Sequence, residues 1–525
     1  MILKNDASGS QLLKWTLAIV VLLRLATMGL YPLTDTTEAR YSEVARKMAE
    51  LGDWVTPWYE YGVPFWAKPP LSNWVTAASI KLLGVNEFAA RLPHFLLALV
   101  VAWLVWDWVG RASKRQALLT IALLSGTMLY FVAAAAVMTD MALALGTTLA
   151  MRGFWSRFES EKTQRPHEEW LFFLGLGIGM LAKGPIAVIL AGTPIVLWAL
   201  LTGNVVQAWK RLPWIKGSLL VLVMSAPWYV MAEIRTPGFL EYFFIGEHWM
   251  RFTVTGWAGD RYGSAHATQR GAIWLLALAA CMPWTVTLPF LAVGRKAAQF
   301  KAAQIKAGLP VSTALVTPAN PTERGFKIYL LAWSITPCLF FTASGNILWT
   351  YVLPALPALA MLTAHWLAGD VRTRLVDAVL AAGVFAIALV VCSYLVREAH
   401  NDSWKTAKTV VDAYRVRNTE GWPLLFVSDR PYSASFYTEG KALRVAEFEE
   451  LAQRLDQGGA FVALTKPQVS VLPPSLKARL KPEMQSGAFD LYSASPATNP
   501  AASPAASPAA SPPSASTPSI PRSAL

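Results

Sequence analysis

The chain has 525 residues, 54% of them hydrophobic and only 15% charged, where a soluble globular protein carries roughly a quarter charged residues. So few solvent-facing side chains exclude an ordinary soluble enzyme, and the 23 tryptophans suit a protein with many membrane interfaces, where indoles anchor. The formal net charge of +13 needs no nucleic acid to explain it, because membrane proteins accumulate Lys and Arg in cytoplasmic loops.

In chain order, about eleven stretches approach the ~20-residue, mostly apolar length of a membrane span. They lie near 12–31, 88–109, 116–134, 138–155, 170–183, 185–201, 214–234, 271–293, 326–343, 349–368 and 375–396. The first reads as a retained span rather than a cleaved leader. Cys281, Cys338 and Cys392 all fall inside apolar stretches and imply no disulfide framework.

The polar run from Tyr31 to Asn73 interrupts this pattern. Within it Tyr41, Val44, Met48 and Leu51 recur near helical spacing, which predicts an amphipathic helix over Thr37–Leu51 lying along the membrane surface. Asp35 and Glu38 have the spacing of a helix start, with Asp35 as the cap. A second surface helix is predicted near 69–84.

The short loops set the orientation. Arg111, Lys114 and Arg115; Arg152, Arg157, Lys162 and Arg165; Lys210 and Arg211; Arg295 through Lys327; and Arg372 with Arg374 all fall on one side. Positive loops stay inside, so the N-terminus is predicted to be cytoplasmic and residues 32–87, 235–270 and everything after Val396 to lie outside.

Between 397 and 494, helical stretches alternate with the β-like runs Leu424–Val427 and Ala460–Leu464, which predicts a small outer α/β domain. The Ala-Ala-Ser-Pro repeats over 495–525 cannot bury a core and are predicted to be disordered. The expected division is a membrane domain over 1–396, the α/β domain over 397–494 and the tail.

The outer side carries unusual charge. Arg40, Lys68, Arg91, Lys183, Arg251 and Arg261 all fall there, close to membrane ends. Cations in such places either snorkel to lipid phosphates or bind an anionic substrate. Arg24, inside the first span, reads as packing or snorkelling. Asp140 opens the fourth span in an otherwise uncharged hairpin, and an ionisable group at that depth points to function, with helix capping the structural alternative. The segment Phe243–Phe252 supplies Glu247, His248 and Arg251, either as proton donors and a phosphate-binding cation or as a self-contained ion pair on a solvated helix.

These residues fall into ordered motifs. They are Asp35-x-x-Glu38-x-Arg40-Tyr41, Gly52-Asp53-Trp54, Lys68-Pro69-Pro70, Thr139-Asp140-Met141 and Leu181-x-Lys183-Gly184-Pro185, then Phe243-Phe244-x-x-Glu247-His248-x-x-Arg251-Phe252 and Tyr351-x-Leu353-Pro354-x-x-Pro357. The series resembles the lipid A aminoarabinose transferases over roughly residues 12–370. With the protein O-mannosyltransferases, these form the membrane-embedded, polyprenyl-phosphate-sugar-dependent glycosyltransferases of GT-C type. The resemblance implies a mostly α, polytopic fold of about eleven (11–13) transmembrane helices plus a small C-terminal α/β periplasmic domain. It implies a cavity at the outer face with Asp35, Glu38 and Asp140 as catalytic carboxylates. Arg40, Lys68, Lys183, His248 and Arg251 would bind the donor phosphate, and Phe65 and Tyr351 would line the substrate cavity.

Three positions depart from the family pattern. Ala67 stands where a glutamate usually precedes the donor-site lysine, Ile347 replaces a lysine, and Thr37 stands where aspartate is frequent. These leave the sugar and the acceptor open.

The chemistry implied is a direct displacement that inverts the anomeric centre. Cations stabilise the leaving phosphate, and a carboxylate such as Asp140 or Glu38 deprotonates a hydroxyl acceptor; a phosphate acceptor would need only positioning. No cofactor is required, and a divalent cation on Asp35, Glu38 and Asp140 is the one candidate. The expected partners are a polyprenyl-phosphate-linked sugar donor with its tail near Trp66 and Trp74, a lipid A-like membrane lipid or glycan acceptor, and the bilayer, but no nucleic acid. The expected location is the bacterial inner membrane. The alternatives are a protein O-mannosyltransferase-like enzyme acting on exported proteins, or a lipid or sugar transporter or flippase. A transporter would show paired broken helices in two halves, and the sequence carries no such repeat.

Overall fold

A computed structural model of the chain describes residues 6–159, 165–263, 266–307, 321–370, 372–400, 405–485 and 487–496. All but the first two residues of the Ala/Ser/Pro tail lie outside the described residues.

Inside lipid every backbone N–H and C=O must be satisfied within the segment, so apolar runs fold as helices. Helices form at every predicted span. They are α1 (Asp6–Thr27), α4 (Glu87–Gly110), α5 (Lys114–Ser125) with α6 (Met128–Ala133), α7 (Asp140–Trp155), α8 (Trp170–Lys183) and α9 (Ile186–Thr202). Beyond α9 come Trp214–Arg235, Ile273–Ala280 with Trp284–Ala307, Pro321–Phe341, a 3-10 turn Trp349–Ala355 leading into Leu356–Ala368, and Thr373–His400. Two spans are broken: α5 from α6 at Gly126, and the eighth just before Pro283, where the halves bend by 73°.

By length and apolarity, five helices among the described residues are sufficient to cross a membrane, or six counting the bent pair. That makes the chain a multi-pass membrane protein, with fewer self-evident spans than the eleven expected. Helices α8 and α9, at 14 and 17 residues, fall short of the ~20 residues that cross a bilayer unaided.

Helix α7 is buried along its whole length. It can sit there because it runs antiparallel to α8 at glycine contacts. A Cβ on Gly175 would stand 2.3 Å from the Gly146 carbonyl oxygen, and one on Gly153 2.2 Å from the Phe172 nitrogen. Only small residues let two backbones approach so closely. The first residue of α7 and the last of α8, Asp140 and Lys183, therefore meet at one end of the pair.

The two predicted surface helices are α2 (Thr37–Leu51) and α3 (Leu71–Leu83). Helix α2 buries Tyr41, Val44 and Met48 as its periodicity requires but leaves Leu51, at its last turn, exposed, and Ser42, Glu43, Arg46 and Lys47 on its polar side are buried too. A simple surface helix is therefore the wrong picture. Hydropathy reveals only the apolar face; the cover over the other comes from the 58–64 hairpin and the C-terminal domain. Beneath it Arg46 Nε and Nη2 donate to the two Glu43 oxygens at 2.6 and 2.8 Å, and Lys47 Nζ donates to the Tyr59 carbonyl at 2.6 Å.

After a short hairpin of β1 (Trp58–Glu60) and β2 (Val63–Pro64), the remaining strands form one sheet. They are β3 (Leu424–Val427), β4 (Leu443–Val445), β5 (Ala460–Leu464), β6 (Lys481–Met484) and β7 (Asp490–Ala494), in the order β4-β3-β5-β7-β6. Strand β3 is parallel to β4 and β5, while β7 is antiparallel to β5 and β6. Strands β3 and β5 are buried at every residue, which explains why they read as unbroken apolar runs. The sheet domain docks on the α2–α4 region through Arg430–Glu60 at 2.6 Å and Lys408–Glu87 at 2.5 Å.

Candidate active site

A polar cavity of about 490 Å³ opens between the start of α2, the Lys68 loop, the ends of α7 and α8, the loop after Arg251, and the 429–432 turn of the sheet domain. Asp35, Arg40, Lys68, Asp140, Lys183, Arg251 and Tyr351 line it. Adjoining it is an apolar groove of about 320 Å³ walled by Ile186, Ile189, Phe244, Phe252, Phe340 and Phe341. Lys68, Lys183, Arg251 and Tyr351 line both spaces. Three cations and a phenol thus form the partition between a polar chamber and a greasy one.

Asp140 is not a cap. Thr139 holds the N-cap position without a side-chain bond, and Asp140 Oδ1 instead accepts from Lys183 Nζ at 2.7 Å. Lys183 Nζ also lies 4.5 Å from the centre of the Tyr351 ring. Just after it the chain turns sharply at Gly184, with φ +80°. A Cβ there would stand 2.7 Å from Phe243 Cζ, so glycine is required both by the backbone and by the 235–270 segment packed over it.

Lys68 meets its counter-charge from a distant segment. Its Nζ donates to Glu247 Oε2 at 2.7 Å, and Arg251 Nη1 lies 3.1 Å from the same oxygen and 3.3 Å from Asp260. Burial works against the Glu247 charge, yet Lys68 and Arg251 hold its carboxyl below the ordinary range. Burial also pulls the Lys68 ammonium down, and Glu247 offsets this only in part. Ala67, where a glutamate was the family expectation, lines the polar cavity, and Glu247 supplies the carboxylate from elsewhere.

Asp35 does not cap α2 either. Its Oδ1 accepts from the Ser433 backbone N–H at 3.0 Å and its Oδ2 from the Ser433 hydroxyl. Burial pushes its carboxyl up to about 6, against the opposing effect of those bonds. Arg40 donates to the Tyr262 carbonyl and lies against the rings of Tyr41 and Phe65 at 5.5 and 5.8 Å.

Other expected site residues lie elsewhere. Glu38 does not line the polar cavity; Arg91 Nε and Nη2 donate to its two oxygens at 2.8 and 2.7 Å. With Arg91 fully buried, this pair ties α2 to α4 and holds the segment between α1 and α4. Glu38→Gln should destabilise the protein by about 3–5 kcal/mol, the range for breaking a buried pair. A thermal midpoint in detergent equal to the parent's would show that the pair is not structural.

Phe65 is buried behind the cavity, edge-on to Tyr41 and Tyr262. His248 lines only the apolar groove, with Nδ1 2.8 Å from the Phe243 carbonyl and Nε2 3.3 Å from that of Lys183. It ties the 235–270 segment to the end of α8. Trp66 and Trp74 do not line the groove; their indoles donate to Thr236 and to the Trp54 carbonyl. Among the described residues no three His, Cys, Asp or Glu side chains gather as a metal site, and Asp35, Glu38 and Asp140 each face a different partner. Glu38 thus does not join Asp35 and Asp140 at the cavity.

Sequence reasoning missed Asp260, Tyr262 and His266, and the contribution of Asp429, Arg430 and Tyr432 from the sheet domain. Nothing in the local sequence of 429–432 signals a site. The turn reaches the cavity only because the domain docks there.

The fold is of the GT-C type, a many-helix membrane domain with a cavity beneath a small α/β domain. The particular likenesses agree. The family model for dolichyl-phosphate-mannose-protein mannosyltransferases matches residues 17–243. The undecaprenyl phosphate-α-4-amino-4-deoxy-L-arabinose arabinosyl transferase of Aeromonas hydrophila is 29% identical over 362 residues, covering 67% of this chain and 59% of that protein. The enzyme of the same name from Erwinia tasmaniensis is 28% identical over 352 residues, covering 65% and 56%. The chain thus spans less than two thirds of the length of these relatives. The crystal structure of ArnT from Cupriavidus metallidurans bound to undecaprenyl phosphate superposes with a TM-score of 0.72 at 19% identity, covering 91% of this chain and 97% of that one.

Proposed function

We propose that the protein is an inverting glycosyltransferase that moves a sugar from a polyprenyl-phosphate donor to a lipid acceptor at the periplasmic face of the bacterial inner membrane. The observation that carries this reading is the partition: Lys68, Lys183 and Arg251 stand between a polar chamber and an apolar groove. A lipid-linked sugar has that same division, with an apolar tail, an anionic phosphate and a polar sugar. The relatives' names, which specify undecaprenyl phosphate and aminoarabinose, support the lipid carrier.

In this reading the tail lies in the groove, the phosphate on the three cations and the sugar in the polar cavity. The bond between the anomeric carbon and the phosphate oxygen breaks, the cations stabilise the charge that develops there, and the acceptor oxygen attacks from the opposite face. Asp35 and Asp140 face the sugar chamber. Asp35, at about 6, is ionised at neutral pH and suited to take a proton from a hydroxyl acceptor; an acceptor phosphate would need none.

Membranes containing the protein, supplied with labelled polyprenyl phosphate sugars or with labelled nucleotide sugars, test the donor class. Transfer is expected from the lipid-linked sugar alone. Robust transfer from a nucleotide sugar without a lipid intermediate would sink the proposal. Orientation belongs to the same reading, since the basic loops point inward and the cavity must open to the outside. A reporter fused after Ala494 should be active only as a periplasmic fusion, and cytoplasmic-type activity there would overturn the orientation.

A further inference from the structure

Arg24 lies one turn inside the C-terminal end of α1 and is 2% exposed. Its Nη2 donates to the carbonyls of Val132 and Ala135 at 3.3 and 3.4 Å, and its guanidinium lies 5.2 Å from the Phe131 ring and 5.8 Å from that of Tyr31. Its Nε and Nη1 have no hydrogen-bond partner. A guanidinium cannot shed its proton, and a buried charge is costly unless an opposite charge meets it.

The other buried arginines show what this protein normally does. Among the described residues Arg24, Arg46, Arg91 and Arg152 are buried. The last three pair with Glu43, Glu38 and Asp107 at 2.6, 2.7 and 2.6 Å. Arg24 has no such partner. It lines a separate cavity of about 440 Å³ between α1, α6 and the helix Thr373–His400, walled by Met128, Val132, Val390, Val391, Tyr394 and Leu395. Glu38 borders the same cavity, but Arg91 already holds both its oxygens.

We infer that this cavity is a second lipid site, distinct from the donor groove, that takes an anionic phospholipid with its phosphate on Arg24 and an acyl chain along Val390–Leu395. Apart from Arg24, Glu38, Thr34 and Thr37, apolar and aromatic side chains line the cavity. Both α1 and Thr373–His400 contain segments long and apolar enough to cross the membrane, so the space opens among spanning helices. Arg24 is three residues from the end of α1, about 4.5 Å along the axis, within the snorkelling reach of a headgroup. The cavity meets the polar chamber at Thr37 and Met138 and shares none of the three donor-site cations. The inference does not rest on the proposed transfer reaction.

The test is native mass spectrometry of the purified full chain in neutral detergent, titrated with phosphatidylglycerol, phosphatidylcholine and, separately, polyprenyl phosphate. Phosphatidylglycerol should be retained over phosphatidylcholine. Arg24→Gln should weaken its retention about tenfold or more, the scale of losing one charge-assisted hydrogen-bonded contact. Val391→Trp, which fills the cavity and leaves the charge, should do the same and covers the case in which Arg24→Gln fails to fold. Both variants should keep polyprenyl phosphate; its loss alongside phosphatidylglycerol would place both lipids in one groove and overturn the second site. Displacement of phosphatidylglycerol by inorganic phosphate would reassign Arg24 to a free anion. Equal retention by the parent and both variants would also overturn the site.

Discussion

Lys68→Ala should lower transfer from a polyprenyl-phosphate sugar by about 10²–10³-fold, the usual scale for removing one group that stabilises charge developing in the transition state. The loss is expected to be selective for chemistry, because the other half of the local ion network remains. Arg251 still faces Glu247 at 3.1 Å and Asp260 at 3.3 Å, so Glu247 is not left as an unpaired buried carboxylate. The variant should therefore insert and fold. The measurement is the single-turnover rate with labelled donor, normalised to folded protein from size-exclusion chromatography. A rate equal to the parent's would remove Lys68 from the donor site and leave the partition with two cations, too few to carry the proposed function.

The second large effect is expected at Asp140. Asp140→Asn keeps the size of the side chain and an oxygen that can accept from Lys183, but removes the charge. If the carboxylate acts on the acceptor, transfer should fall by on the order of a hundredfold or more, the scale for losing a general base. The structural alternative is that Asp140 only anchors Lys183 across the 2.7 Å contact. In that case Lys183→Met alone should reproduce the whole defect, and adding Asp140→Asn to it should cost nothing further, because coupled residues are non-additive. A further drop in the double variant indicates a role for Asp140 in the reaction; the absence of one would confine it to positioning.

Much of the fold was legible because membrane physics leaves few choices. An apolar run in lipid becomes a helix, and the run positions follow from composition. The apolar face of α2 was legible from the spacing of Tyr41, Val44 and Met48, and strands β3 and β5 from their unbroken apolar runs. Other features were not. The break before Pro283 was invisible to an average over the span. The carboxylates at the start of α2 looked alike in sequence, two acids three residues apart, yet they face different ways. Asp35 turns to Ser433 and the cavity, and Glu38 turns to Arg91 and the scaffold. Local spacing offered capping as an explanation for both Asp35 and Asp140, and distant partners took both side chains instead.

The amino-acid sequence by itself determined the class of fold, the set of helical segments, the C-terminal α/β domain, and the cationic and acidic residue types available to the site. These follow from local quantities: hydropathy, periodicity and motif order. The tertiary structure decided which of those charges face one another. Lys68 meets Glu247, Lys183 meets Asp140 and Asp35 meets Ser433 across gaps in sequence that no periodicity spans. The glycine contacts of α7 and α8 and the docking of the sheet domain onto α2 make those meetings. The same packing leaves Arg24 buried without a counter-ion, because a charge's partner depends on which helices surround it and not on its neighbours in the chain.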